Sequence, residues 1–150
     1  MQTLNFNNYS FRLKNSENKV YIFDAIRKKF LALTPEEWVR QHTIQYLIQE
    51  LNYPISLINV EKIVKINGMN KRYDIVVFQP NGHIAIIVEC KAPEVTINQQ
   101  TFDQIARYNF ILQAHYLMVT NGLNHYFCQM DFKNEQYTFL QSLPVYKPLK

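Results

Sequence analysis

Residues 83–93 read HIAIIVECKAP, and this stretch decides the fold. Ile84, Ala85, Ile86, Ile87 and Val88 are apolar at every position. A strand with one wet face alternates, whereas a strand apolar on both faces is buried on both. The stretch therefore predicts a central strand in a sheet covered on each side. Working upstream, Gln79-Pro80-Asn81-Gly82 reads as a turn, and residues 72–78 (RYDIVVF) as the strand before it. Asn67-Gly68 is a hairpin signal, because both central positions of such a turn take positive φ. Asn59 to Ile66 is then the first strand of a three-strand meander. Downstream of Pro93 a helix is predicted from about Asn98 to Ala114, followed by a strand from Tyr116 to Thr120. Strand, helix, strand implies a right-handed crossover to a parallel neighbour. Asn121-Gly122 turns the chain into another strand, His125 to Met130, and residues 136–142 supply a last edge strand.

Ahead of the meander, Thr34-Pro35-Glu36-Glu37 marks a helix start. Thr34 can cap, Pro35 suits the first turn, and Glu37 lies three residues after the cap, where a capping box would close. The helix runs to about Leu51, with Ile44, Leu47, Ile48 and Leu51 as its buried stripe. Residues 1–33 form an accessory segment. Phe11 to Lys14 reads as a short strand and residues 15–18 as a turn. Residues 20–33 (VYIFDAIRKKFLAL) fit a helical stripe or a strand, and their aromatic and β-branched content favours strand. The expectation is one α/β domain over residues 1–150, with a core at 34–122 and C-terminal strands at 123–150. Its sheet is mixed and carries helices on its faces.

Composition narrows the function. A chain of 150 residues, 47% hydrophobic and 14% aromatic, supports one real core and argues against disorder. Its three glycines are too far apart for a phosphate-binding loop, so no nucleotide cofactor is expected. The formal net charge of +4 suits a polyanionic partner without requiring one. Cys90 and Cys128 sit in apolar, strand-like stretches and read as buried free thiols. His42, His83, His115 and His125 lack zinc-site spacing and read as surface or strand residues. Arg27-Lys28-Lys29 and Lys71-Arg72 are small basic clusters that fit a solvated face at least as well as phosphate contacts. No signal-like or membrane-spanning apolar run stands out, so a cytoplasmic protein with no membrane partner is the default.

The chemistry concentrates at two strand ends. Asp74 opens the apolar run Ile75 to Phe78, and Glu89 and Lys91 close the run Ile84 to Val88. Side chains alternate along a strand, so Glu89 and Lys91 share a face and Cys90 takes the other. Hairpin pairing brings the start of one strand beside the end of the next, and so Asp74 beside Glu89 and Lys91. Two carboxylates at the edge of a buried sheet each lose several kcal/mol of solvation, roughly, if left unpaired. A hard divalent cation offsets that cost. Such an ion can polarise a phosphodiester and acidify a bound water.

RYDIVVF, IAIIVECKAP and a following helix with Gln104 and Tyr108 in Q-x-x-x-Y spacing resemble the PD-(D/E)xK nuclease superfamily. More narrowly, they resemble the N-terminal nuclease domain of the R subunit of type I restriction enzymes, from the Thr34 helix to the turn at 121–122. The resemblance implies a restriction-endonuclease-like α-β-β-β-α-β core and hydrolysis of DNA with Mg²⁺, for which Mn²⁺ can substitute. It implies that Asp74, Glu89 and the carbonyl oxygen of Cys90 hold the metal and that Lys91 is the catalytic lysine. Gln104 and Tyr108 would assist the site or contact nucleic acid. Some members of the superfamily use a further acid on the first helix, where Glu36 and Glu37 stand; Glu37 is the candidate, with capping alone the favoured reading of it. Tyr73 stands where the motif's proline would be. The ATP-driven translocase of the full subunit is not in this sequence, so the chain would act alone, as a homodimer, or with a protein partner that selects DNA. Two rivals remain: a nucleic-acid-binding or assembly module that keeps the fold with little catalysis, and an interaction protein with no nucleic-acid role.

Overall fold

The computed structural model describes residues 1–66 and 68–148. β1 (Leu13–Ser16), β2 (Lys19–Asp24) and β3 (Lys29–Ala32) make a three-stranded antiparallel sheet of their own. β1 starts and ends later than the expected Phe11–Lys14, because the tight turn is only Glu17-Asn18, both with positive φ (51° and 64°). Residues 20–33 are two strands rather than one. The Asp24 carboxylate accepts from the N–H groups of Ile26 (2.7 Å) and Arg27 (2.9 Å), and Lys28 takes φ 55°. A side-chain acceptor two and three residues upstream thus builds a turn with neither Gly nor Asn.

α1 (Pro35–Gln45) starts where expected, with Thr34 Oγ1 accepting from Glu37 N at 3.0 Å. The cap is one-sided. Thr34 N donates to Ala32 O, and the Glu37 carboxylate turns elsewhere, so the expected capping box does not close. The helical path continues as a π turn over Tyr46–Glu50 and ends at Asn52 (φ 62°). β4 (Ile58–Ile66), β5 (Met69–Phe78) and β6 (Ile84–Cys90) form the meander. Ile66 pairs with Met69 and Gly68 has φ +78°; Asn67, the other half of the expected turn, lies outside the described residues. α2 (Gln99–Asn109) is capped by Asn98 and gives way to a single 3₁₀ turn at Phe110–Leu112. Gln113, in the left-handed conformation, stops it just short of the expected Ala114. β7 (Tyr116–Thr120) pairs parallel with β6, and β8 (His125–Asp131) and β9 (Gln136–Leu140) follow antiparallel. The sheet order is β4-β5-β6-β7-β8-β9, a mixed sheet with one parallel pair, as the crossover required.

β6 feeds two cores. Ile86, Val88 and Cys90 pack with Val39, Ile44 and Leu47 of the α1 segment, while Ile87 packs with Phe102 and Ala106 of α2. Each of these side chains is essentially sealed from water, worth about 1.5–3 kcal/mol for each large aliphatic. The doubly apolar run is thereby explained, and the strand end that follows it is held rigidly. Cys90 and Cys128 are buried free thiols. His42 departs from expectation: it is buried within α1, its ring 4.4 Å from that of Trp38 and 4.8 Å from that of Phe11. Among the described residues no helix is long and apolar enough to cross a membrane.

Candidate functional site

Pairing between β5 and β6 runs in register through Ile75 opposite Val88. One step outward the same register sets Asp74 against Glu89, where the two apolar runs end together. Asp74 is tied on both oxygens. Oδ2 accepts from the Cys90 N–H at 2.8 Å, and Oδ1 accepts from Arg40 Nη2 at 2.9 Å. Cys90 therefore contributes backbone to the site while its thiol lies in the core beneath α1.

Glu89 is in the opposite condition. Its side chain is 13% exposed, its Oε1 is buried, and among the described residues that oxygen has no hydrogen-bond partner. The nearest cation is Lys71, with Nζ 3.9 Å away, too far for a hydrogen bond. Burial and then the charge of Asp74 push the Glu89 carboxyl up, to about 7, against the weaker opposite pull of Lys71 and Lys91. Lys91 follows β6, its N–H donating to Thr120 O at 2.8 Å, and its half-buried side chain bears electrostatically on both Glu89 and Glu36.

The two acids of the first turn of α1 have different surroundings. The Glu37 carboxylate accepts from Arg40 Nη1 (2.6 Å), Gln41 Nε2 (3.0 Å) and Arg27 Nη2 (3.2 Å to each oxygen). Its acceptor capacity is spent inside the chain. Glu36, the other first-turn acid, is the acid of α1 that feels Asp74 and Lys91; partial burial and then Asp74 push its carboxyl up.

On α2, Phe102 and Ala106 are buried while Gln104 and Tyr108 are exposed, because at about 100° per residue the two pairs lie on different faces of the helix. Lys71 Nζ sits 3.9 Å from the centroid of the Tyr108 ring, a cation–π contact. Through Lys71, Tyr108 borders Glu89. Gln104 lies one turn away in a polar cleft with Gln99, Asp103 and Arg107, and among the described residues no hydrogen bond joins it to Asp74 or Glu89. Tyr73, at the motif's proline position, is fully buried, and among the described residues its hydroxyl is unpartnered. Burial raises that hydroxyl's pKa, and Tyr108 and Glu89 raise it further.

Sequence reading missed Arg40 and the position of Lys71 against the site. Lys71 had a usable signal, since it lies two residues before Tyr73 and strand alternation gives the two a common face. Arg40 lies three residues after Glu37, a helical pair that ordinarily marks a solvated face.

The donor set favours a hard cation. Among the described residues no three His, Cys, Asp or Glu side chains converge on one point, so an ion here would take Asp74, Glu89, backbone oxygen and water. Mg²⁺ accepts that kind of incomplete oxygen shell. The orphaned Glu89 oxygen and the repulsion between two adjacent carboxylates are what such an ion would relieve.

No curated protein matches the chain. The family described as type I restriction enzyme R protein N terminus (HSDR_N) matches residues 35–144, from the first residue of α1 to beyond β9. The chain belongs to that family, the N-terminal portion of type I restriction enzyme R proteins.

Proposed function

We propose that this chain is a metal-dependent nuclease that hydrolyses DNA phosphodiester bonds, with Mg²⁺ as the metal and Mn²⁺ as a substitute. The observation that carries the reading is the buried, unpartnered Oε1 of Glu89 beside Asp74, with Lys91 two residues along. Asp74, Glu89 and the carbonyl of Cys90 would hold the ion. Bound there, it would polarise the phosphodiester and acidify a water. The chain's own groups do the rest. Arg40 and the Cys90 N–H fix the Asp74 carboxylate in one orientation. Lys91 places an ammonium at the strand end, where it offsets charge growing on phosphate oxygens. Tyr108 and Gln104 offer an exposed helix face to nucleic acid.

A second reading, a DNA-binding module of the same fold with little catalysis, is favoured by one observation: Arg40 already donates to Asp74 Oδ1, and no third acidic side chain joins the pair among the described residues. Cleavage assays separate the two. Plasmid, linear duplex and single-stranded DNA are incubated with millimolar Mg²⁺ or Mn²⁺. The wild type is expected to cut, Glu89→Gln to be inactive, and Lys91→Ala to fold normally but cut at least about a hundredfold more slowly. Isothermal titration of the metal should give heat with the wild type and none with Asp74→Ala. Binding without cleavage supports the second reading; cleavage that survives Glu89→Gln removes this site from the chemistry.

A further inference from the structure

The β4–β5 hairpin continues past the site as a two-stranded ribbon. β6 leaves β5 after Val88, but β4 and β5 go on pairing from Lys62 opposite Tyr73, through Val64 opposite Lys71 and Lys65 opposite Asn70, to Ile66 opposite Met69. The six residues of β5 beyond Ile75 reach roughly 20 Å, about the rise of six base pairs.

The ribbon's charge is unlike that of the rest of the chain. Residues 62–73 hold Lys62, Lys65, Lys71 and Arg72 and no acid, a net +4. The whole chain is also +4, so everything outside the ribbon sums to 4 − 4 = 0. The two faces differ as well. On the inner side, Tyr73 and Val64 pack with the core beneath α2, and Lys71 rests on Tyr108. On the outer side, Ile63, Lys65, Asn70 and Arg72 are exposed, Ile63 to 53%. Among the described residues no ion pair engages Lys62, Lys65 or Arg72. Lysines on an open sheet edge also discourage edge-to-edge pairing, but a half-exposed isoleucine facing outward works against that purpose.

We infer that this ribbon is an arm that grips duplex DNA beside the cleavage site, with Lys65 and Arg72 of the outer face, and the exposed Lys62 at the ribbon's base on the Tyr73 face, on backbone phosphates. The major groove, about 12 Å wide, admits a two-stranded ribbon. Lys71, on the inner face between Glu89 and Tyr108, joins the arm to the metal-binding end. The inference rests on the nuclease reading for the DNA's place at Asp74 and Glu89.

The test uses the full chain in EDTA, so that nothing is cut. A fluorescent 30-base-pair duplex (a length of about five ribbon spans by the same rise) is titrated by anisotropy over a salt series. The single strand of the same sequence is run in parallel. Lys62→Gln/Lys65→Gln/Arg72→Gln should bind duplex roughly ten- to a hundredfold more weakly, with its salt slope smaller by about 2–3, and Arg72→Gln alone should lower the slope by about 1. Urea midpoints and Mg²⁺ heats should match the wild type. Unchanged duplex affinity and slope in the triple variant, or a loss confined to the single strand, overturns the inference. Failure of the nuclease reading looks different: the wild type binds duplex through the ribbon, yet no metal-dependent cleavage is seen.

Discussion

Arg40 lies between two carboxylates, Glu37 and Asp74, that belong to a helix and a distant strand. Its side chain is 7% exposed, and its Nε has no partner among the described residues. Substituting methionine keeps the length but leaves Asp74 without its counter-charge and Glu37 with Arg27 as its remaining guanidinium partner. Loss of one partner from a buried pair costs about 3–5 kcal/mol, so Arg40→Met is expected to unfold at a much lower urea concentration than the wild type. A midpoint within error of the wild type would show that the network is not a stabilising element. The residue scale is also where sequence reading was most uneven. The adjacency of Asp74 and Glu89 was legible, because hairpin register and the period of two leave little choice. Glu36 and Glu37 were not told apart, because which acid of a first turn faces the sheet depends on where Arg27 arrives from another sheet, and no local pattern encodes that.

Elements were legible where a periodic run met a strong turn signal. β5, β6 and β7 came out within a residue or a few of their bounds, since Ile75 to Phe78 and Ile84 to Val88 are long apolar runs flanked by turn residues. The β2–β3 turn was not, because its builder is the Asp24 side chain, with no glycine in the sequence to announce it. The β7–β8 turn shows how tightly an element can depend on one small residue. Asn121 Oδ1 accepts from the N–H groups of Leu123 (3.0 Å) and Asn124 (2.8 Å), and Gly122 at φ +87° accepts from Asn5 N at 2.8 Å. A Cβ on Gly122 would come to 2.9 Å from Leu4 Cδ2 and 3.0 Å from Val39 Cγ2. Gly122→Ala therefore combines backbone strain with overpacking, and a loss of about 1–3 kcal/mol is expected in chemical unfolding. An unchanged midpoint would mean that Leu4 moves aside freely.

At the scale of the molecule, one charge network ties the two sheets together. Asp24 and Arg27 at the β2–β3 turn meet Glu37, Arg40 and Gln41 of α1, and Arg40 carries the chain of contacts to Asp74. Asp24 is sealed from water. Burial pushes its carboxyl up, but the N–H and guanidinium of Arg27 and the amide of Gln41 outweigh it and hold the group below the ordinary carboxylate range. A carboxyl depressed on folding adds stability above its unfolded value of about 3.9 and loses it as pH falls through the folded value. The stability gap between the wild type and Asp24→Asn should thus be large near neutrality and shrink below about pH 4. Urea midpoints taken across that range check it, and a gap independent of pH would contradict the assignment.

That shared network has a practical consequence for anyone grafting this module onto another protein. The family boundary falls at residue 35, yet Arg27 neutralises Glu37 from the near side of that boundary, and Leu4 fills the space over Gly122 and Val39. An excision at that boundary would strip a buried acid of one of its two guanidinium partners and open a hole in the core in a single cut. The matched stretch thus begins inside a packed network that reaches upstream of it.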